Sequence, residues 1–148
     1  MTMDTRPAVP ADVPLVKTVT DAAYHHYIER IGVVPAPMKA DHAADVAAGR
    51  VFVTGDPVRG VIVLVPREDH LFLESIAVHP EAKGTGLGRV LLELAESRAR
   101  DLGLKEIRLY TNALMWENQN LYARYGYEMT ERRTDGPYDR IHYRKPLG

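Results

Sequence analysis

Apolar residues along the chain follow two rhythms, steps of three or four residues and runs on neighbouring or alternate positions, and the switches between them predict a mixed α/β fold. Thr2 to Ala8 reads as a short edge strand ended by prolines. From Ala11 to Arg30, Val13, Val16, Thr20, Ala23 and Tyr27 return at three- and four-residue steps and make one stripe of a helix. Pro35-Ala36-Pro37 forces an extended connection, because a proline ring crowds the helical conformation of the residue before it. Met38 to Ala48 then supplies a second, short helix closed by Gly49. Val51 to Thr54 and Val58 to Val65 are β-branched runs separated by Gly55-Asp56-Pro57, the composition of a turn between antiparallel strands. Val61 to Val65 is apolar on both faces, as a central strand must be.

Leu71 to Val78 is another strand, stopped by Pro80. Between Gly86 and Leu102, Leu87, Val90, Leu91, Leu94 and Leu102 share one side while Glu93, Glu96 and Arg100 lie outside, and Gly103 serves as a C-terminal cap. Glu106 to Thr111 is a strand again. Leu71 to Thr111 is therefore a strand, helix, strand unit, whose two strands should be parallel with a right-handed crossover. Trp116 to Tyr125 is a short helix ended by Gly126, and Tyr127 to Arg133 and Tyr138 to Lys145 make a final hairpin around Asp135-Gly136. The order βααβββαβαββ predicts an α/β fold, a mixed sheet of about seven strands with flanking helices.

At 148 residues the chain matches a single domain, 1–148, at roughly 150 residues per domain. With 19 Lys and Arg against 20 Asp and Glu there is no basic excess to release counterions, which disfavours nucleic acid as the main partner. The sequence contains no cysteine, so thiol nucleophiles and acyl-cysteine intermediates are excluded. The first fifteen residues lack the apolar run of a signal peptide and no stretch is long and apolar enough to span a membrane, which predicts a cytoplasmic protein. The six histidines form no His-Glu-x-x-His pattern, and no metal is expected.

One segment stands out chemically. His79-Pro80-Glu81-Ala82-Lys83-Gly84-Thr85-Gly86-Leu87-Gly88-Arg89 joins a strand to a helix through three glycines at alternate positions. Missing Cβ atoms let backbone N–H groups approach a ligand, and a helix N-terminus adds partial positive charge, so an anion belongs there. Arg89 stands where a dinucleotide fingerprint needs its last glycine, and no Gly-Lys-Ser/Thr closes the loop as in a P-loop. The plain alternative is a tight turn.

This loop resembles that of the GCN5-related N-acetyltransferase (GNAT) superfamily, Gln/Arg-x-x-Gly-x-Gly/Ala after a strand, with Lys83 at the Gln/Arg position. A second segment, Met115-x-x-Asn118-x-x-Leu121-Tyr122-x-x-x-Gly126-Tyr127, is similar to the family's Asn-x-x-Ala-x-x-Leu-Tyr-x-x-x-Gly-Phe, with Met115 and Asn118 at the Asn and Ala positions. The element order fits over nearly the whole chain. The resemblance implies acetyl-CoA as acetyl donor, its pyrophosphate held by backbone amides of Lys83, Gly84, Thr85, Gly86, Leu87, Gly88 and Arg89. It implies a bulged strand whose backbone at Ile76, Ala77 and Val78 pairs with the pantetheine arm, with an N–H near Ala77 or Val78 polarising the thioester, and it adds Asn118 as a further cofactor contact.

Tyr122 would be the acid for the departing thiolate, since a phenol of reference pKa about 10 stays protonated at neutral pH; its alternative is a core tyrosine. If the strand alternates, Glu74 shares a face with Phe72, Ile76 and Val78, and a carboxylate there suits a base for the acceptor amine. Its alternative is a solvent-facing Glu beside Ser75. The resemblance also puts Tyr24, Tyr27 and Tyr138 around the acceptor. The function predicted is direct acetyl transfer to a primary amine of a small molecule or peptide; the alternative is a non-catalytic acyl-CoA binding module. A homodimer is left open.

Overall fold

The structure, a computed structural model, describes residues 4–148; Thr2 and Met3, assigned by the sequence to the first strand, lie outside the described residues. Seven strands, β1 (Thr5–Pro7), β2 (Val51–Thr54), β3 (Gly60–Pro66), β4 (Leu71–Val78), β5 (Glu106–Asn112), β6 (Glu128–Asp135) and β7 (Tyr138–Pro146), form one sheet. Their spatial order is β1-β2-β3-β4-β5-β7-β6. Every neighbouring pair is antiparallel except β4 and β5, which are parallel as the strand, helix, strand reading requires. β3 is buried on both faces along Gly60–Val65, as expected of its unbroken apolar run.

The helices are α1 (Val13–Tyr24), α2 (Tyr27–Ile31), α3 (His42–Ala47), α4 (Leu87–Asp101) and α5 (Trp116–Arg124). The first long helix is interrupted at His25-His26, two residues of modest helix propensity, and Gly32 ends α2 in the left-handed conformation at φ 86°. The second expected helix is also divided. Pro37 belongs to a 3₁₀ turn over Ala36–Lys39, and Asp41 starts α3 afresh by accepting the Ala44 N–H at 3.0 Å, a side-chain N-cap.

Two apolar layers sandwich the sheet. Ile62, Leu64, Leu71, Leu73, Ile107 and Leu109 pack with Leu91, Leu92, Ala95 and Ala99 of α4. On the other face, Val51, Val53, Val61, Val63 and Ala77 pack with Val16, Val19 and Tyr24 of α1 and Val46 of α3. Both helical stripes differ in detail from the spacing read in the sequence. In α1 the buried set is Val16, Val19, Thr20 and Tyr24; in α4 it is Leu87, Leu91, Leu92, Ala95 and Ala99, and Leu102 is 43% exposed. Ala95 and Ala99 face the sheet together with Leu91 and Leu92, Leu94 packs partly buried against the same core, and Val90 is not among the buried residues.

Leu91 is fully enclosed, so Leu91→Ala should cost about 2–5 kcal/mol and lower the melting temperature by roughly 5–20 °C. Leu102→Ala should shift stability by no more than about 0.5 kcal/mol. Thermal melting of the two variants checks the orientation of α4.

Candidate active site

β4 changes character halfway along. Val63 of β3 is opposite Ser75 and Leu64 is opposite Leu73, so Glu74 is an extra, unpaired residue, a β-bulge. The extra residue inverts the alternation beyond it: Ile76 joins Leu71 and Leu73 on the α4 face, while Ala77 and Ser75 stand opposite Val61 and Val63. Glu74 therefore does not share a face with Ile76; at the bulge the residue is exposed overall, yet its carboxyl is partly screened from water where it borders a cavity with Leu73, Tyr110 and Tyr122. The other edge of β4 parts from its parallel neighbour. Only Leu71↔Ile107 and Phe72↔Arg108 pair β4 with β5, so the remainder of β4 has no ladder on that side.

Backbone alternation settles which groups the parting exposes. The His79 N–H donates to Arg59 C=O at 2.8 Å, and in an antiparallel ladder successive residues point to opposite edges. Ala77 accordingly turns its N–H toward β3, away from the open edge, although the residue itself still lines the cleft beside that edge. Ile76 and Val78 turn theirs to the open side. The Tyr24 hydroxyl reaches that edge and donates to Ile76 C=O at 2.7 Å.

From this edge the chain enters the glycine loop. Gly84 and Gly86 have φ of 81° and 88°, which a side chain would strain, whereas Gly88 is helical with nothing within 4 Å of the place a Cβ would occupy. Gly86 caps α4. The N–H of Lys83 goes to Pro80 C=O and that of Thr85 to Ala82 C=O, each at 3.3 Å, and the Thr85 hydroxyl also bonds Ala82 C=O. Those two amides are thus spent within the loop and Thr85 does not line the cleft. The N–H groups of Gly84, Gly86, Leu87, Gly88 and Arg89 meet no protein acceptor among the described residues, leaving the start of α4 with a row of donors and the positive end of its dipole. They border a cleft of about 440 Å³ running between β4 and α5 past Ile76, Val78, Lys83 and Asn118.

A second, tighter cavity of about 110 Å³ lies on the α3 side, bordered by Glu74, Ser75, Asp45, Tyr110, Tyr122 and Arg140 among others. Tyr24 and Asn118 line both spaces, so the two meet at the parting of the strands. Asn118 and Tyr122 are four residues apart and share one face of α5. Tyr122 is 3% exposed, and no protein group among the described residues bonds its hydroxyl; burial raises its pKa well above the phenol value. Burial, then the nearby Asp45 carboxylate, raise the Glu74 pKa, and Arg50 and Arg67 oppose them. Tyr138 closes the outer rim by donating to Val34 C=O at 2.9 Å.

Tyr24 and Tyr138 thus border the tight cavity, but Tyr27 does not. It is buried against the cofactor-side cleft, under His26 and with the Arg30 guanidinium 5.0 Å from its ring, because the break at His25-His26 carries it past Tyr24 toward the glycine loop. Sequence reasoning missed Asp45, Tyr110 and Arg140. A large aromatic on the face of β5 opposite Ile107 and Leu109 was a signal for Tyr110; Asp45 and Arg140 arrive from elements distant in sequence and carry no local signal.

Glu74 should act against stability. Burial and the nearby Asp45 carboxylate raise its carboxyl pKa above the ordinary glutamate value, so between the unfolded and folded pKa the folded state binds more protons than the unfolded one, and stability falls as pH rises through that range. Glu74→Gln should therefore melt higher than the parent at pH 7, the advantage shrinking as pH falls toward about 4.5. Melting curves across that range check the sign.

No curated protein is significantly similar in sequence. Solved structures share the fold. The PaiA N-acetyltransferase of Thermoplasma acidophilum in complex with coenzyme A is 18% identical at a TM-score of 0.83, with 99% of this chain and 100% of that one covered. The acetyltransferase YncA of Salmonella typhimurium with its cofactor acetyl-CoA is 19% identical at 0.74, covering 100% and 95%. The ribosomal-protein-S18-alanine N-acetyltransferase of Escherichia coli is 20% identical at 0.75, covering 99% and 94%. The family described as the acetyltransferase (GNAT) domain matches residues 47–129, more than half of the chain, from the end of α3 into β6. The chain belongs to the GNAT acetyltransferase family.

Proposed function

We propose that residues 1–148 act as one acetyltransferase domain that moves an acetyl group from acetyl-CoA directly to a primary amine of a small molecule. The observation that carries this reading is the meeting of two cavities at Tyr24 and Asn118, where β4 leaves its backbone unpaired. Fit to the donor rests on the loop: free N–H groups at Gly84, Gly86, Leu87, Gly88 and Arg89 suit a pyrophosphate, and Gly88 leaves room for it. Lys83 contributes its side-chain charge rather than its N–H. Val78, nearer the loop, would pair with the pantetheine arm. Ile76, whose carbonyl Tyr24 holds at the junction, would direct its N–H at the thioester oxygen, one step earlier in the strand than the sequence reading put it.

In this arrangement the amine enters from the α3 side, loses a proton to Glu74 directly or through water, and attacks the thioester carbon. A C–N bond forms, the C–S bond breaks, and the electron pair leaves with sulfur. Tyr122, kept protonated by burial, donates to that sulfur as its charge builds. The absence of cysteine from the chain fits direct transfer without a cysteine acyl-enzyme.

Thiol release from acetyl-CoA with a panel of amines tests the reading, and no release with any amine would refute it. Tyr122→Phe keeps the ring and should bind acetyl-CoA while turnover drops by about 10² to 10⁴; near-normal turnover returns Tyr122 to a packing role. Gly88→Ala should leave the free protein as stable or up to about 1 kcal/mol more stable, as expected for Ala over Gly inside a helix. It should nevertheless weaken acetyl-CoA binding, because the new methyl points into the space the pyrophosphate needs. Calorimetric titration of a variant with undiminished melting temperature reads that loss directly.

A further inference from the structure

The tight cavity is electrically lopsided. Its α3 and bulge end holds Asp45 and Glu74; Asp45 has Arg50 at 3.5 Å, and Glu74 has no ion-pair partner among the described residues. Its β7 end holds Arg140, whose side chain is only 17% exposed. The Arg140 guanidinium is 4.1 Å from the Tyr110 ring centre and 4.8 Å from that of Tyr138, and the Lys39 ammonium is 5.6 Å from the latter ring. Among the described residues Arg140 has one carboxylate partner, Asp135, at 3.4 Å, and Asp135 is shared with Arg133 at 3.6 Å. An arginine held between two rings keeps its fork in a fixed plane, and a single long contact leaves most of its five N–H donors without an anion.

Taking the acetyl-transfer reading as its basis, we infer that the acceptor is a small amino acid, an amine that also carries a carboxylate, and that Arg140 is the residue that reads the carboxylate. The ammonium end is drawn to Asp45 and Glu74, where the proposed base takes its proton; the carboxylate end meets the Arg140 fork across Tyr110. Size fits the same class. A dry cavity of about 150 Å³ takes a guest of benzene's size, so a space of about 110 Å³ holds the head of a small amino acid. An amine lacking the carboxylate leaves a half-buried guanidinium unanswered, and a site built around a polar contact discriminates against the analogue that lacks it.

The experiment compares matched acceptors with saturating acetyl-CoA: alanine against ethylamine, 4-aminobutyrate against propylamine, followed by thiol release. Carboxylate-bearing acceptors should lead in kcat/KM by about 10- to 100-fold, the worth of a charge-assisted pair. Arg140→Met should collapse that ratio toward one through KM, and Arg140→Lys should keep an intermediate ratio. Asp135→Asn, which frees the guanidinium from its competitor, should widen it. Plain amines equal to or better than amino acids, or a ratio that survives Arg140→Met, would overturn the assignment. If Arg140→Met does not fold, the Asp135→Asn ratio decides, since a narrowed ratio is equally fatal. If no acceptor of either kind releases thiol, the transfer reading fails by itself. Saturation-transfer NMR of 4-aminobutyrate with the coenzyme A-loaded protein then decides the pocket: binding weakened in Arg140→Lys keeps the carboxylate site, and no binding to the parent, or binding undiminished in Arg140→Lys, removes it.

Discussion

Two residue pairs hold β4 to β5, and everything at the site follows from the absence of a third. A parallel ladder continued along β4 would have satisfied the backbone of Ile76 and Val78 and sealed the sheet, leaving neither cleft. The Glu74 bulge adds a residue to β4 against β3, which bends the strand and increases its twist just where the parallel neighbour falls away. Backbone groups left without partners are costly when dry, so the parting persists only where water, a ligand or a side chain can answer them. Tyr24 answers one, the carbonyl of Ile76.

The rest of the molecule holds that opening in place. α1 brings Tyr24 to the edge from one side, while α5 brings Asn118 and Tyr122 from the other. Across the top, Arg30 of α2 donates to both carboxylate oxygens of Glu117 at 2.7 and 3.2 Å and to Leu114 C=O at 3.1 Å, and its guanidinium is 4.0 Å from the Trp116 ring. A solvent-facing ion pair alone is worth only about 0–1 kcal/mol. A bidentate fork stacked on an aromatic adds orientation as well as energy, and here it ties α2, which follows α1 after the break at His25-His26, to α5. Gln119 donates to Asn112 and Ala113 carbonyls at 3.3 and 2.9 Å and ties the same helix to the end of β5.

Much of this was legible locally. Apolar runs located β2, β3, β4, β5 and β7 to within about two residues, because burial of one or both faces is written into residues adjacent in sequence. The glycine loop was legible for the same reason: positive φ at Gly84 and Gly86 is a local backbone demand that glycine meets. The bulge was not, since register depends on two strands at once, and a one-residue slip moves every later side chain to the other face. That is why Glu74 was grouped with Ile76, and why Ala77 was counted among the cleft-facing amides. The acceptor side was the least legible. Tyr27 was grouped with Tyr24 although the break in the helix separates them, and Asp45, Tyr110 and Arg140 meet only after α3, β5 and β7 have packed.

Several groups that the protein itself leaves unanswered meet at the parting. Within a few residues of the parting lie two left-handed glycines, a row of unanswered amide donors, a carboxylate whose pKa is raised by burial and by another carboxylate, and a buried phenol with no protein partner. Elsewhere the local preferences agree with the fold: β3 is apolar throughout, α4 carries one clean buried face, and Asp12 accepts from Arg6 at 2.7 and 2.9 Å and from the Val9 N–H at 2.8 Å to fasten β1 to the first turn. A sequence under selection for stability alone would remove the buried polar groups without partners, because each costs on the order of 1 kcal/mol or more. Their meeting at one opening, beside strands and helices whose propensity and packing agree, is what the proposed transfer needs: groups the protein leaves unanswered and a ligand can answer.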